Sequence, residues 1–119
     1  MTAAVRAYIR NLARDPLRDD LRITAEGRVV GRFLRSEIDS AFQPIARLGP
    51  STDEPTVVAV QALVRARGET GVDLLPSGLF SLAPNDDDLV ALDRRCRVVH
   101  TLNFFAADTG ETDLLLSVH

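Results

Sequence analysis

The sequence predicts an α/β domain built around three strands and one long helix. Residues 42–48 and 56–66 are apolar stretches on either side of a turn-rich segment, which indicates two neighbouring antiparallel strands. A third apolar stretch, residues 114–118, follows a long helical pattern. Because a strand, a helix and a second strand in this order form a crossover, residues 114–118 are predicted to pair in parallel with 56–66.

The second of these strands places a polar residue in an apolar run. Residues 56–66 are almost continuously apolar, which is typical of a strand that is covered on both faces. Gln61 lies in the middle of this run. A buried amide costs free energy unless it is hydrogen-bonded, so Gln61 is expected either to find a partner or to line a site.

Length and composition bound the class of protein. A chain of 119 residues with 45% hydrophobic and 26% charged residues is suited to one globular domain with a core. No apolar run reaches the length of a membrane helix, and the first residues lack the apolar core of a signal peptide. The single cysteine, Cys96, excludes an internal disulfide framework and a multi-cysteine metal site, and it favours the cytoplasm.

Charge is distributed unevenly along the chain. The net charge of −3 gives no general attraction to nucleic acid or to an anionic membrane, so neither is expected as a partner. Residues 1–50 carry nine arginines against six acids, whereas residues 51–119 carry five arginines against eleven acids. The two halves are therefore suited to pair, either within one molecule or between two.

Residues 1–32 are predicted to form an N-terminal extension of one helix and one hairpin. The helix runs from Thr2 to about residue 14, where Pro16 ends it. One of its faces is apolar and another carries arginines four residues apart, which favours a solvated face over a site for an acidic or phosphate-bearing partner. Residues 21–24 and 28–30 flank a turn in which Gly27 takes the left-handed conformation.

Three further helices are predicted in the remainder of the chain. Residues 33–41 are interpreted as a short helix, and Ser77 as the cap of a second helix that ends at residue 83. Asn85 is the predicted N-cap of the longest helix, and the three aspartates at 86–88 suit its positive end better than a metal site. The predicted core-facing residues of this helix are Leu89, Leu92, Cys96, Val99 and Leu102, with Phe105 or Ala106 at its end.

Cys96 is therefore expected to be a core residue rather than a nucleophile. His100 follows it at i+4 and would complete a pair of metal ligands, but two ligands do not make a site. His100 is accordingly interpreted as a surface residue or as a polar residue near the C-terminus of the helix.

Several short motifs resemble the EAL domains, which are cyclic-di-GMP phosphodiesterases. Residues 42–45 (Phe-Gln-Pro-Ile) and 60–65 (Val-Gln-Ala-Leu-Val-Arg) resemble the family's Tyr-Gln-Pro-Ile and Val-Glu-Ala-Leu-Leu-Arg. Residues 76–83, 92–95 and 116–119 are similar, in the same order, to three further family motifs. The resemblance covers residues 33–119 and corresponds to the first part of the family domain only.

The resemblance implies a partial TIM-barrel-like fold of about three barrel strands, since the family fold is a modified barrel. It also implies a site that has lost its metal chemistry. The family uses Mg or Mn, and its metal-binding glutamate corresponds here to Gln61, which has no negative charge. The family's metal-binding asparagine corresponds to His119, while Gln43 and Arg65 match residues that face the dinucleotide.

Each of these residues also has a purely structural interpretation. Gln43 would satisfy a backbone group at a strand end, Gln61 would be a hydrogen-bonded core amide, and Arg65 would pair with Glu69. The sequence leaves both interpretations open.

The sequence thus predicts a catalytically inactive, EAL-like bacterial signalling module that binds no metal cofactor. It is expected in the cytoplasm, acting through a protein partner and as a homodimer that covers its incomplete barrel. Two alternatives are a weak cyclic-di-GMP receptor and an N-terminal fragment of a longer cyclic-di-GMP phosphodiesterase.

Overall fold

A computed structural model describes residues 6–7, 21–49, 56–107 and 112–117. Within these residues the chain forms a sheet of six strands and two helices that follow β5. The elements in chain order are β1 (Leu21–Ile23), β2 (Val29–Phe33), β3 (Ser36–Arg47), β4 (Thr56–Arg67), β5 (Asp73–Leu74), α1 (Pro76–Phe80), α2 (Asp86–Ala106) and β6 (Asp113–Leu115).

The sheet is open and mostly antiparallel, so the predicted partial TIM-barrel-like fold is wrong. Strands β1 to β5 are neighbours in sequence order and each pair is antiparallel, while β6 alone pairs in parallel, with β4. The connections from β1 to β2, from β2 to β3 and from β4 to β5 are far shorter than the dozen residues that a parallel crossover requires. The chain therefore turns back on itself instead of closing a barrel.

The predicted helix at 33–41 is also wrong, because this segment forms the end of β2 and the start of β3. Ser36, Ile38 and Ser40 are buried while Glu37 and Asp39 are half-buried, which is the period of two of a strand. Leu34 makes the tight turn between the strands at a positive φ of 53°. The apolar residues that suggested a helix are therefore divided between two strands and a turn.

Several local predictions are confirmed. The β1–β2 hairpin forms with Gly27 at φ 82°, and β6 pairs in parallel with β4, Leu114 lying opposite Val60. Asn85 caps α2, since its side chain accepts a hydrogen bond of 2.9 Å from the Asp88 amide. Ser77, by contrast, does not cap α1, which begins at Pro76.

Some predictions concern residues that are not described. Of the predicted N-terminal helix only Arg6 and Ala7 are described, and both are helical. The division of the chain at residue 32 stays a prediction, although β1 and β2 share one sheet with β3. Among the described helices, none is long and apolar enough to cross a bilayer.

Helix α2 packs on one face of the sheet and completes the core. One cluster of buried side chains joins α2 to β1 and β2, and a second joins it to β2, β3, β4 and α1. Cys96 belongs to the second cluster, as predicted. The clusters consist of Leu21, Val29, Val99 and Leu102, and of Phe33, Ile38, Ala66, Leu79, Leu92 and Cys96.

A buried polar network fastens α2 to the sheet. The Asn103 side chain accepts a hydrogen bond from the Val29 amide and donates one to the Val29 carbonyl, each of 2.7 Å. Asn103 Nδ2 also lies 3.2 Å from Ser40 Oγ, and His100 Nδ1 lies 2.6 Å from the same oxygen. His100 is thus buried, and the interpretation that places it on the surface is wrong.

We expect Asn103→Ala to lower the free energy of unfolding by about 2–3 kcal/mol, because it leaves both polar backbone groups of Val29 buried without partners. Urea denaturation followed by circular dichroism measures this. The control is Val90→Ala, at an exposed position of α2, which should change the value by less than about 0.5 kcal/mol. Equal effects of the two substitutions would contradict the role assigned to Asn103.

Candidate functional site on the uncovered sheet face

The sheet has a second face, opposite α2, which we call the open face. Side chains alternate between the two faces of a strand, and residues directly opposite each other on neighbouring strands share a face. Since Ile38 and Ala66 belong to the core beneath α2, the odd-numbered residues from 37 to 45 on β3 point to the open face. The facing pairs are Glu37 with Arg67, Asp39 with Arg65, Ala41 with Leu63, Gln43 with Gln61, and Ile45 with Ala59.

The structure brings three of the four sequence-predicted site residues together on this face. Gln43 and Gln61 lie directly opposite each other, and Arg65 lies two positions further along the same side of β4. Gln61 is half-buried and its Nε2 donates to Ser117 Oγ at 3.5 Å, a long hydrogen bond. His119 lies outside the described residues.

Arg65 is an exposed cation whose facing acid is already occupied. Asp39 accepts two hydrogen bonds from the Arg28 guanidinium, of 2.7 and 3.3 Å, and a third from the Ser40 amide. The predicted partner of Arg65, Glu69, is bound instead by Arg35. Among the described residues, Arg65 therefore has no ion pair, and its guanidinium is available to a ligand or a partner.

The open face is charged at one end and mainly apolar towards the other. Its charged end surrounds a shallow depression of about 660 Å³ that Arg28, Asp39 and Arg65 help to line. Towards the other end, Leu63 on β4 and Leu115 on β6 are exposed, at 40% and 46%, together with Asp113 at the start of β6. The prediction that β4 is covered on both faces is therefore wrong at Leu63, although Ala59 on the same face is buried.

The outer edge of β3 is closed to further strand pairing. Strand β2 pairs only with Ser36–Ile38, so within the described residues the remainder of β3 has no neighbour on that side. At Ser40, however, the amide donates to the Asp39 carboxylate and the carbonyl accepts from Arg28. Pro44 has no amide hydrogen to offer. A strand could therefore not add to this edge without breaking the contacts at Ser40.

One arrangement resembles a nucleophile with its base, namely the Ser40 hydroxyl and His100 Nδ1 at 2.6 Å. Ser40 is only 2% exposed and His100 only 6%, since the pair lies between the sheet and α2. A substrate would have to separate these layers to reach the hydroxyl. The pair is accordingly part of the network that fastens α2.

The described part of the chain contains no cluster of side chains that could bind a metal ion. There, no group of three or more histidine, cysteine, aspartate or glutamate side chains is placed to share an ion. On the open face, Gln61 offers an amide, which is weaker than a carboxylate as a ligand for a hard cation.

Sequence reasoning missed the two groups that define this face. The Arg28–Asp39 pair was hidden because 33–41 was interpreted as a helix, although the alternation of Glu37, Ile38, Asp39 and Ser40 has the period of a strand. Leu63 was assigned to a core because apolar residues on both sides of a strand do not reveal which side is covered.

Cys96 belongs to the core and is part of neither the open face nor the Ser40–His100 pair. Burial of its thiol raises the pKa from 9.0 to about 12, and the nearby Asp93 carboxylate adds to the rise. The thiol therefore stays protonated and unreactive at neutral pH.

Comparison of the chain with protein-family models, with curated proteins and with solved structures finds no match. The resemblance to EAL domains thus rests on the short motifs alone.

The pKa of Cys96 leads to a prediction about alkaline stability. Because the folded thiol keeps its proton between about pH 9 and 12 while the unfolded thiol releases it, this contribution to stability is complete below pH 9 and is lost as the pH rises toward 12. We expect the free energy of unfolding to fall by up to about 1.4 kcal/mol per pH unit in this range. Urea denaturation between pH 8 and 11 measures the slope.

The control is Cys96→Ala, which should lose this slope although its stability at pH 7 is lower. The chain is suited to the experiment because it contains no lysine and one tyrosine, so few other groups titrate here. Identical slopes for the two proteins would show that the thiol is not protected by burial.

Proposed function

We propose that this chain is a non-catalytic regulatory module that acts through protein–protein contact and self-associates through its open face. The observation that carries the proposal is the exposure of Leu63, Ile45 and Leu115 on a sheet face that has no covering layer in the described residues. A sheet normally buries its apolar side chains against another layer. A second protein surface would supply that layer here.

The size of the open face is adequate for a specific contact. Strands β3 and β4 have twelve residues each. At about 3.4 Å per residue and about 4.8 Å between strands, β3 and β4 together present about 400 Å², and the four short strands beside them add about 200 Å². Two such faces in contact would bury about 1,200 Å², which is at the lower limit of the range for specific interfaces.

Charge chemistry on the same face supports a binding role over a hydrolytic one. Two-metal cleavage of a phosphodiester needs carboxylates that hold both ions around an activated water. Gln43 and Gln61 offer amides at the corresponding place, and Asp39 is already bound to Arg28. Descent from an EAL domain and a cytoplasmic location belong to this proposal as hypotheses.

A second candidate function is weak cyclic-di-GMP binding. It is favoured by one observation, the common placement of Gln43, Gln61 and the unpaired Arg65 on the open face. A guanidinium and two amides are suited to a phosphate and a nucleobase edge. The shallow face would enclose little of such a ligand, so self-association is preferred.

We expect the protein to be a dimer at micromolar concentration and Leu63→Glu to weaken the dimer at least tenfold, because the substitution buries two carboxylates in the apolar part of the contact. Light scattering coupled to gel filtration, over a range of concentrations, measures this. The matched control is Leu82→Glu, since Leu82 is 42% exposed and lies after α1, away from the open face. A protein that is monomeric at every concentration would refute self-association.

Calorimetry with cyclic-di-GMP at millimolar concentration tests the second function. We expect no measurable heat from the unaltered protein. Heat that disappears in Arg65→Ala but persists in Arg94→Ala, an exposed position on α2, would replace the dimer proposal with a receptor. Equal loss in both variants would indicate non-specific attraction of the anion.

A further inference from the structure

The pattern of side chains on the open face also indicates how two copies meet. Each facing pair between β3 and β4 joins groups of complementary chemistry. The first two pairs, Glu37–Arg67 and Asp39–Arg65, join an acid to an arginine. The next three join two apolar residues (Ala41–Leu63), two amides (Gln43–Gln61) and two apolar residues (Ile45–Ala59). The face is therefore complementary to itself when the two strands are exchanged. A two-fold axis performs this exchange if it lies between β3 and β4, parallel to the strands.

We propose that the partner of the open face is a second copy of this chain, related by a two-fold axis that runs along the strands between β3 and β4. This inference rests on the proposed function and adds the geometry of the contact. Strand β3 of each copy lies over β4 of the other, with the sheets about 10 Å apart. Ala41 packs on the partner's Leu63, and Gln43 meets the partner's Gln61.

Charge complementarity selects this arrangement over the main alternative. With the axis along the strands, Arg65 of each copy approaches the partner's Asp39, whose Oδ2 accepts only the 3.3 Å hydrogen bond from Arg28 and can take a second donor. An axis across the strands through the Ala41–Leu63 pair would instead set Asp39 over the partner's Gln43 and Arg65 over the partner's Gln61, which are neutral amides. Glu37 and Arg67 would lie over the partner's Ile45 and Ala59, so these charges would lose water without gaining a partner, which costs free energy.

The position of the apolar pair agrees with the anatomy of protein interfaces. Ala41 and Leu63 form the middle one of the five facing pairs, and the two charged pairs lie at one end. Interfaces commonly place apolar side chains at the centre and charges at a solvated rim. The alternative contact, addition of strands edge to edge, is disfavoured because the Ser40 amide and carbonyl on the β3 edge are occupied.

Thiol crosslinking tests this geometry. The single variant Ile45→Cys is treated with a short bis-maleimide, because sheets about 10 Å apart hold facing Cα atoms beyond the reach of a disulfide. With the axis along the strands, the two copies of residue 45 lie at the same level and about 11 Å apart, so we expect a crosslinked dimer; an axis across the strands would separate them by about 29 Å and give none. Cys96 is retained, since it is buried and its pKa is about 12.

The control is Leu82→Cys, which should give no crosslinked dimer. Arg65→Glu supplies a second measurement: we expect the dissociation constant of the dimer to rise at least tenfold, and Arg94→Glu to leave it unchanged. Both variants keep the apolar pair intact, so their folding is easily compared.

The outcomes separate this inference from the function on which it rests. A dimer in which Ile45→Cys gives no crosslink would overturn the axis along the strands and leave self-association standing. A monomer that gives no crosslink would overturn both. A monomer in which the Ile45→Cys thiol resists an added reagent would show that another segment of the chain covers the face, which also overturns both.

Discussion

The fastening of α2 to the sheet by Asn103 is the constraint on which this structure depends. Both polar backbone groups of Val29 are bound by one side chain, so β2 and α2 are held at a fixed distance and rotation. Arg95 adds a second attachment to the same strand, because it donates to the Arg32 carbonyl at 2.8 Å and lies over the Phe33 ring. Apolar packing alone is less directional, and these polar contacts specify which part of the helix lies on which strand.

The same constraint decides which face of the sheet remains available. Helix α2 has 21 residues and covers one side of β2, β3 and β4. The Phe42 ring continues this layer by meeting Phe104 edge-on at 6.4 Å. The helix leaves its own Leu89, Val90 and Phe105 exposed, so Leu89 and Phe105 do not face the core as predicted. Leu63 and Ile45 lie on the other side of the sheet and point away from the core. The candidate site is thus the face of the sheet that is left uncovered when a helical layer packs on the other side only.

The sequence was informative where a local physical rule acts alone. Gly27 and Asn85 stand at positions whose conformation or hydrogen bonding few other residues supply, and the hairpin and the cap followed from them. The order of β4, α2 and β6 likewise predicted parallel pairing. By contrast, Ile38 and Ala41 are three positions apart, so they share a face in a helix but lie on opposite faces of a strand, and only the pairing with β4 decides between the two. Three site residues predicted from the sequence, Gln43, Gln61 and Arg65, share a face. The role of Asp39 could not be predicted, because it depends on Arg28 in the connection between β1 and β2.

The hydrogen-bonded residues Val29 and Asn103 lie far apart in the sequence, and this separation has a consequence for biosynthesis. Val29 and Asn103 lie 74 positions apart, so a chain that grows from its N-terminus completes β1 to β4 before the helix that holds them exists. During this interval both faces of the nascent sheet are bare, and the face with more apolar surface is the one that α2 later covers. Cellular folding factors would therefore engage the surface that becomes the core, and the open face would be the side presented to a second nascent or finished copy.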